Sequence, residues 1–228
     1  LEIGPAEIGK NIKADVPVLG DAKESLSALT ELVEQREYKE WLAEFRALEQ
    51  EEIDVVIHNE LNPTAELMTM GEVINKINLN SDQKNIFVTD VGQHQMIACR
   101  YAKFKQTKSM ITSGGLGTMG FCLPAAIGAK MGVPDAQVIG IIGDGGFQMT
   151  IQELGTIFQY KTAVKIVVLN NEFLGMVRQW QELFFEKRYA STTMVNPDFQ
   201  NIVKGFGIES NKVEKREDLE SAVKKMLA

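Results

Sequence analysis

From residue 61 onward the sequence predicts a doubly wound parallel α/β sheet with helices on both faces, preceded by an orphan strand and linker helices. Two observations carry that expectation. Residues 137–142 and 164–169 are Val/Ile/Leu-rich runs without polar alternation, the pattern of strands buried on both faces. Beyond residue 84, such runs alternate with segments of helical period, which calls for parallel strands joined by crossover helices, with ligands at their carboxyl ends.

Taken in order, residues 1–20 hold one short apolar strand pattern and then Val16-Pro17-Val18-Leu19-Gly20, with no neighbouring strands in sequence to cover either. Residues 21–60 turn helical, with Leu26, Leu29, Leu32 and Val33 and then Trp41, Leu42, Phe45 and Leu48 at three-to-four spacing in an acidic background. Asn62-Pro63-Thr64 breaks that pattern, and a helix over 65–77 follows. Strands are expected at 86–89, 109–112, 137–142 and 164–169. Helices are expected at 93–103 and 119–131, between the last two strands, and at 197–204 and 216–227 around a weak strand at 208–213. The chain thus divides at 1–20, 21–60 and 61–228.

The formal net charge of −7 provides no basic field for phosphate backbones or anionic lipid, so neither nucleic acid nor a membrane is an expected partner. No run approaches the roughly 18 apolar residues of a span, and Leu1-Glu2-Ile3-Gly4-Pro5 is no signal peptide. A cytoplasmic setting is expected, although an excised piece would carry no targeting segment to read. The two cysteines, Cys99 and Cys122, have no CxxC spacing and read as core packing in a reducing compartment. With only His58 and His94 present, no Ser/His/Asp triad is supported, and no GxxxxGK[ST] loop occurs.

The chemistry concentrates at strand ends. Gly143-Asp144-Gly145-Gly146 directly follows one buried run, and Asn170-Asn171 directly follows the next. Adjacent parallel strands would bring Asp144 and Asn171, 27 positions apart, to one cation. Such hard oxygen donors suit Mg²⁺ or Ca²⁺ with phosphate completing the shell. The glycines let backbone approach a diphosphate, and a helix from near Phe147 would offer it free N–H groups. Taken singly, the two pieces read as a tight turn and a helix cap. A rival reading takes Gly115-Leu116-Gly117-Thr118-Met119-Gly120 as the GxGxxG of a nicotinamide-dependent dehydrogenase, with Asp144 as the ribose acid. It leaves Asn170-Asn171 without a role and the acid among three glycines unexplained.

Gly-Asp-Gly, two dozen residues and Asn-Asn together resemble the signature of thiamine-diphosphate enzymes. That resemblance implies Mg²⁺ bound by the Asp144 and Asn171 side chains and the Phe173 carbonyl, with Gly143, Gly145 and Gly146 beside the diphosphate. The stretch 113–121 is similar to the acetolactate synthase loop that holds the aminopyrimidine. There the Gly117 carbonyl and the Met119 N–H would meet the ring, and the Met119 side chain would wedge the cofactor into its bent form. Residues 172–180 resemble the segment of that family in which Met176 and Val177 line the active site and Trp180 limits the second substrate. Gly92-Gln93-His94-Gln95-Met96 is similar to its diphosphate-contacting loop, through Gln93 and His94.

The resemblance covers essentially the whole chain. It implies thiamine diphosphate and Mg²⁺ as cofactors, with FAD in the full-length family. The implied reaction is decarboxylation of pyruvate and transfer of the two-carbon unit to a second 2-oxo acid, in branched-chain amino acid biosynthesis. It also implies a homo-oligomer, dimer or tetramer, with a possible regulatory subunit. By the same resemblance residues 1–20 look like the last strand of a truncated central domain, 61–228 like the cofactor domain cut before its final strand. The activating glutamate would come from an N-terminal domain of a neighbouring subunit, so this chain is expected to be inactive alone. Gly146 in place of serine and Met68-Thr69-Met70-Gly71 in place of a Pro-Gln pair depart from the family pattern. Another thiamine-diphosphate carboligase or decarboxylase, or a non-catalytic binding module, stays open at this point.

Overall fold

The computed structural model describes residues 1–82 and 84–228, which fall into two units, Leu1–Glu51 and Glu52–Ala228. In the first, an isolated parallel bridge joins Glu2 to Leu19, with the Glu2 N–H donating to the Val18 carbonyl at 3.0 Å. Helix α1 (Ala22–Leu32) starts where Asp21 accepts from the N–H groups of Lys23 and Glu24, satisfying donors that have no partner within the helix. Neither α1 nor α2 (Lys39–Glu52) buries a residue. Their apolar stripes, including Leu29 and Phe45, are exposed.

The second unit opens with a π-helical turn (Ile53–Ile57), α3 (His58–Leu61) and α4 (Met70–Asn80). Its sheet consists of β1 (Ile86–Thr89), β2 (Met110–Thr112), β3 (Val138–Gly143) and β4 (Val164–Leu169), all parallel, in the order β2-β1-β3-β4. The period of two sends alternate residues to opposite faces. Ile86, Val88, Val138 and Ile142 pack with Cys122 and Ala126 of α6 (Cys122–Gly132), Leu154 of α8 (Glu153–Tyr160) and Val203 of α10 (Phe199–Gly205). Phe87, Ile139 and Ile141 pack with Ile74 of α4, Ala98 of α5 (Gln93–Tyr101) and Leu219 of α11 (Arg216–Leu227). Two cores therefore sandwich one sheet, as an all-parallel sheet requires. Arg216 ties the last helix down, with Nε donating to both oxygens of the buried Glu72 at 2.9 and 3.1 Å.

The structure departs from the sequence expectations in several places, each with a physical reason. No strand forms at 208–213; Ile208 joins the first core and Val213 the second, so the segment passes between faces without pairing. Along β4 only Leu169 is buried and the rest is half-buried, because that strand ends the sheet. Helix α4 starts at Met70 and not at 65, since Thr69 accepts from the Glu72 N–H as its cap. Helix α6 starts at Cys122 and not at Met119, because Gly120 sits at φ +82°, outside helical space. Cys99 is exposed, and only Cys122 is core. No helix of the described residues is long and apolar enough to cross a membrane.

Cys122 also explains a gap in β3. Its thiol donates to the Val88 carbonyl at 3.2 Å, and a Cβ on Gly140 would lie 3.0 Å from Sγ and 2.8 Å from Ile166 Cδ1. Gly140→Ala is accordingly expected to cost about 1–3 kcal/mol in urea unfolding by overpacking. Adding Cys122→Ala should return part of that loss.

Candidate functional site

The strand order reverses between β1 and β3, and the carboxyl ends of β1, β3 and β4 lie side by side there. Asp90, directly after β1, is fully buried. Its carboxylate accepts from the Gly120 N–H at 3.0 Å and the Cys122 N–H at 2.9 Å. That pair anchors the loop before α6 to the end of the sheet. Sequence reasoning missed Asp90; the available signal was an acid directly following the short strand Ile86-Phe87-Val88-Thr89.

His94, in the first turn of α5, is buried, and no described group partners its Nε2. A Cβ on Gly92 would fall 2.7 Å from the ring, and one on Gly143 would fall 2.8 Å from Nδ1. The imidazole thus fills the space that glycine leaves at the ends of both β1 and β3. Burial lowers its pKa from the ordinary histidine value, against the opposing pull of the Asp90 and Asp144 carboxylates.

Asp144 follows β3 and opens α7 (Asp144–Met149), so that helix begins three residues before the expected Phe147. Asp144 is 1% exposed. Oδ1 accepts from the Gly145 N–H at 3.1 Å; Oδ2 accepts from the Glu172 N–H at 3.0 Å and from Asn196 Nδ2 at 2.7 Å. The loop after β4 therefore sits directly against the loop after β3. Glu172 holds it there from a left-handed conformation, φ +60°. Asn196 also donates to Asn170 Oδ1 at 2.8 Å, and Asn171 Oδ1 accepts from the Phe173 N–H at 3.2 Å. Asn196 is a second residue that sequence reasoning did not find, since nothing local marks an asparagine 52 positions from its partner.

These strand ends enclose a cleft. Gln93 and His94 line it from α5, Gly143 to Gly146 from the β3 end, and Asn171, Phe173, Met176 and Val177 from the β4 end. Met119 completes it from the loop before α6. Val91, Leu174 and Met70 also line it and were not anticipated. Gly117 does not line it, but its Cβ position lies 4.0 Å from Val91. Trp180, on α9 (Gly175–Phe184), lines a separate depression with Val177, Phe185 and Arg188. The room left by the glycines is taken by protein: Leu174 approaches the Gly145 Cβ position to 2.8 Å, and the Asp90 carboxylate occupies that of Gly146. The GxGxxG segment follows β2, a sheet edge and not the switch point, and contributes only Met119 to the cleft.

Among the described residues no three His, Cys, Asp or Glu side chains gather as a metal cage. The donors at hand are one carboxylate, neighbouring amide oxygens and a buried imidazole nitrogen without a partner. That set fits a hard cation whose remaining ligands are water and phosphate oxygens, with the imidazole facing the anion. None of the residues lining the cleft is a glutamate.

The C-terminal TPP-binding domain model of the thiamine pyrophosphate enzymes matches residues 90–228. The chain is 39% identical over 245 residues to the probable acetolactate synthase large subunit of Methanococcus aeolicus, covering all of this chain and 40% of that protein. It is 40% identical over 228 residues to the Lactococcus lactis acetolactate synthase large subunit, covering 98% of this chain and 38% of that one. Against the mitochondrial acetolactate synthase catalytic subunit of Saccharomyces cerevisiae it is 37% identical, over all of this chain and 33% of that protein. The chain thus spans 33–40% of the length of these relatives.

The buried imidazole predicts a pH effect. Because its folded pKa lies below the ordinary value of 6.5, the unfolded chain takes up the proton first. The stability contributed by neutral His94 is complete above that value and is lost as pH falls from it toward the folded pKa. Urea unfolding between about pH 5 and 7.5 should show this acid limb, and His94→Gln should flatten it.

Proposed function

The chain belongs to the thiamine pyrophosphate enzymes through their C-terminal cofactor-binding domain, and from that premise we propose that it is the part of an acetolactate synthase large subunit that holds the cofactor's diphosphate and its metal. The observation that carries this reading is the meeting of Asp144 with the loop after β4, beside the unpartnered His94 nitrogen. Whole-chain identity of 37–40% to acetolactate synthase subunits supports the narrower choice within the family.

On this reading Asp144, Asn171 and the Phe173 carbonyl hold Mg²⁺. Asn171 suits the role better than Asn170, whose Oδ1 already accepts from both the Glu172 N–H and Asn196. Gln93 and His94 face the diphosphate. Gln93 is steadied by donating to Gln179 Oε1 at 3.1 Å, which couples the starts of α5 and α9. Gly143, Gly145 and Gly146 supply the cleft floor. Gly117 and Met119 meet the aminopyrimidine, and Asp90 keeps that loop in place by holding the Gly120 N–H. Met176 and Val177 form an apolar wall that excludes water, and Trp180 limits the acceptor.

Bound thiamine diphosphate supplies the means to decarboxylate a 2-oxo acid and pass on its two-carbon remainder. The proposed substrates are pyruvate and a second 2-oxo acid. The missing cleft glutamate is supplied by another domain or a neighbouring subunit, in a homo-oligomer with a regulatory partner and with FAD elsewhere in the assembled enzyme. A cytoplasmic setting accords with these roles.

Calorimetry tests the cofactor assignment. The chain is expected to bind thiamine diphosphate only with a divalent ion and not to bind NAD; Asp144→Ala should abolish the binding. Heat from NAD alone would support a dehydrogenase instead. In the assembled enzyme, Trp180→Leu is expected to raise turnover of bulkier 2-oxo acid acceptors relative to pyruvate, read by product analysis in competition.

A further inference from the structure

We propose that Asn196 is the positioning residue that makes the Asp144 carboxylate a one-oxygen donor, and so biases the site toward Mg²⁺ over the larger Ca²⁺. This rests on the cofactor reading above and deepens it. A carboxylate offers about four lone-pair positions on its two oxygens. On Asp144, Oδ2 has both filled, by the Glu172 N–H at 3.0 Å and Asn196 Nδ2 at 2.7 Å. Oδ1 has one filled, by the Gly145 N–H at 3.1 Å. A single position remains, on Oδ1.

The orientation of Asn196 is not arbitrary. Its two amide hydrogens go to Asp144 Oδ2 and Asn170 Oδ1, and its carbonyl oxygen accepts from Gln148 Nε2 at 2.9 Å. A flipped amide would set oxygen against a carboxylate. The strap that carries it is fastened through the backbone, with the Met194 N–H donating to the Glu172 carbonyl and the Leu174 N–H to the Thr192 carbonyl, each at 2.8 Å. Asn196 therefore belongs to the same rigid edge as the residues it orients.

The consequence follows from ion size. Mg²⁺ is small, octahedral and content with a few single-oxygen protein ligands. Ca²⁺ takes six to eight oxygens and readily accepts a carboxylate through both of them. With Oδ2 filled, the two-oxygen grip is closed. Removing the Asn196 donor reopens it and releases the rotation of the carboxylate.

The test titrates thiamine diphosphate, with Mg²⁺ or with Ca²⁺, into the parent chain, Asn196→Leu and Asp144→Asn by calorimetry, with urea midpoints as the folding control. The parent should bind more tightly with Mg²⁺. Asn196→Leu should weaken the Mg²⁺-supported binding by about 10–100-fold, the range for residues that orient a metal ligand, and weaken the Ca²⁺-supported binding less. Should that variant not fold, Asn196→Ser, which keeps one donor, carries the same comparison and is expected to fall between. Unchanged binding, or equal losses with both ions, overturns the positioning role while leaving the cofactor reading intact. Absence of binding by a folded parent, or undiminished binding by Asp144→Asn, overturns the cofactor reading and this proposal with it.

Discussion

Two carboxylates withdrawn from water set the terms for the carboxyl edge of this sheet. An ionised group in such a place needs donors on every side. Asp90 finds them in the main chain of the loop that enters α6; Asp144 finds them in its own helix start, in the loop after β4 and in Asn196. Segments distant in sequence are thereby pinned to the ends of β1 and β3. His94 lies between the two acids, and the geometry of the cleft depends on all three.

The sheet was largely legible in the sequence because its strands are nearly pure runs of β-branched and aliphatic residues. Residues 86–89 and 164–169 came out with their observed ends, and the final helix did too. The misreadings have a common origin in local patterns that serve distant partners. Ile208 and Val213 look like the two ends of one strand, yet they face opposite cores across a segment that pairs with no neighbour. Met119 looks like the opening of a helix, but the turn at Gly120 is held by Asp90, thirty positions earlier. Thr69 and Glu72 did announce the start of α4 by their spacing, and that signal was readable.

At the cleft, Gly143 to Gly146 and Asn171 came together, since their motifs stand at the ends of adjacent strands that a parallel sheet must align, whereas Gly117, after the edge strand, stayed outside. Asn196 and Leu174 stayed hidden, because each is defined by what it touches and not by its neighbours in the chain; Asp90 carried a local mark, its place directly after a strand. The reason for the glycines was also hidden. From sequence they read as room for a ligand; in three dimensions a side chain at these positions would also meet Leu174, Asp90 or His94.

The imidazole wedged between Gly92 and Gly143 binds the fate of three positions together during sequence drift. Neither glycine can acquire a side chain while the ring stays, and a shorter residue at 94 would leave a void at the crossing of two strands. Change along a lineage must then begin with the ring, and in that order the first step is the one that exposes both acids to a missing neighbour. Such a trio is one steric unit, in which no member can change size alone without a clash or a void.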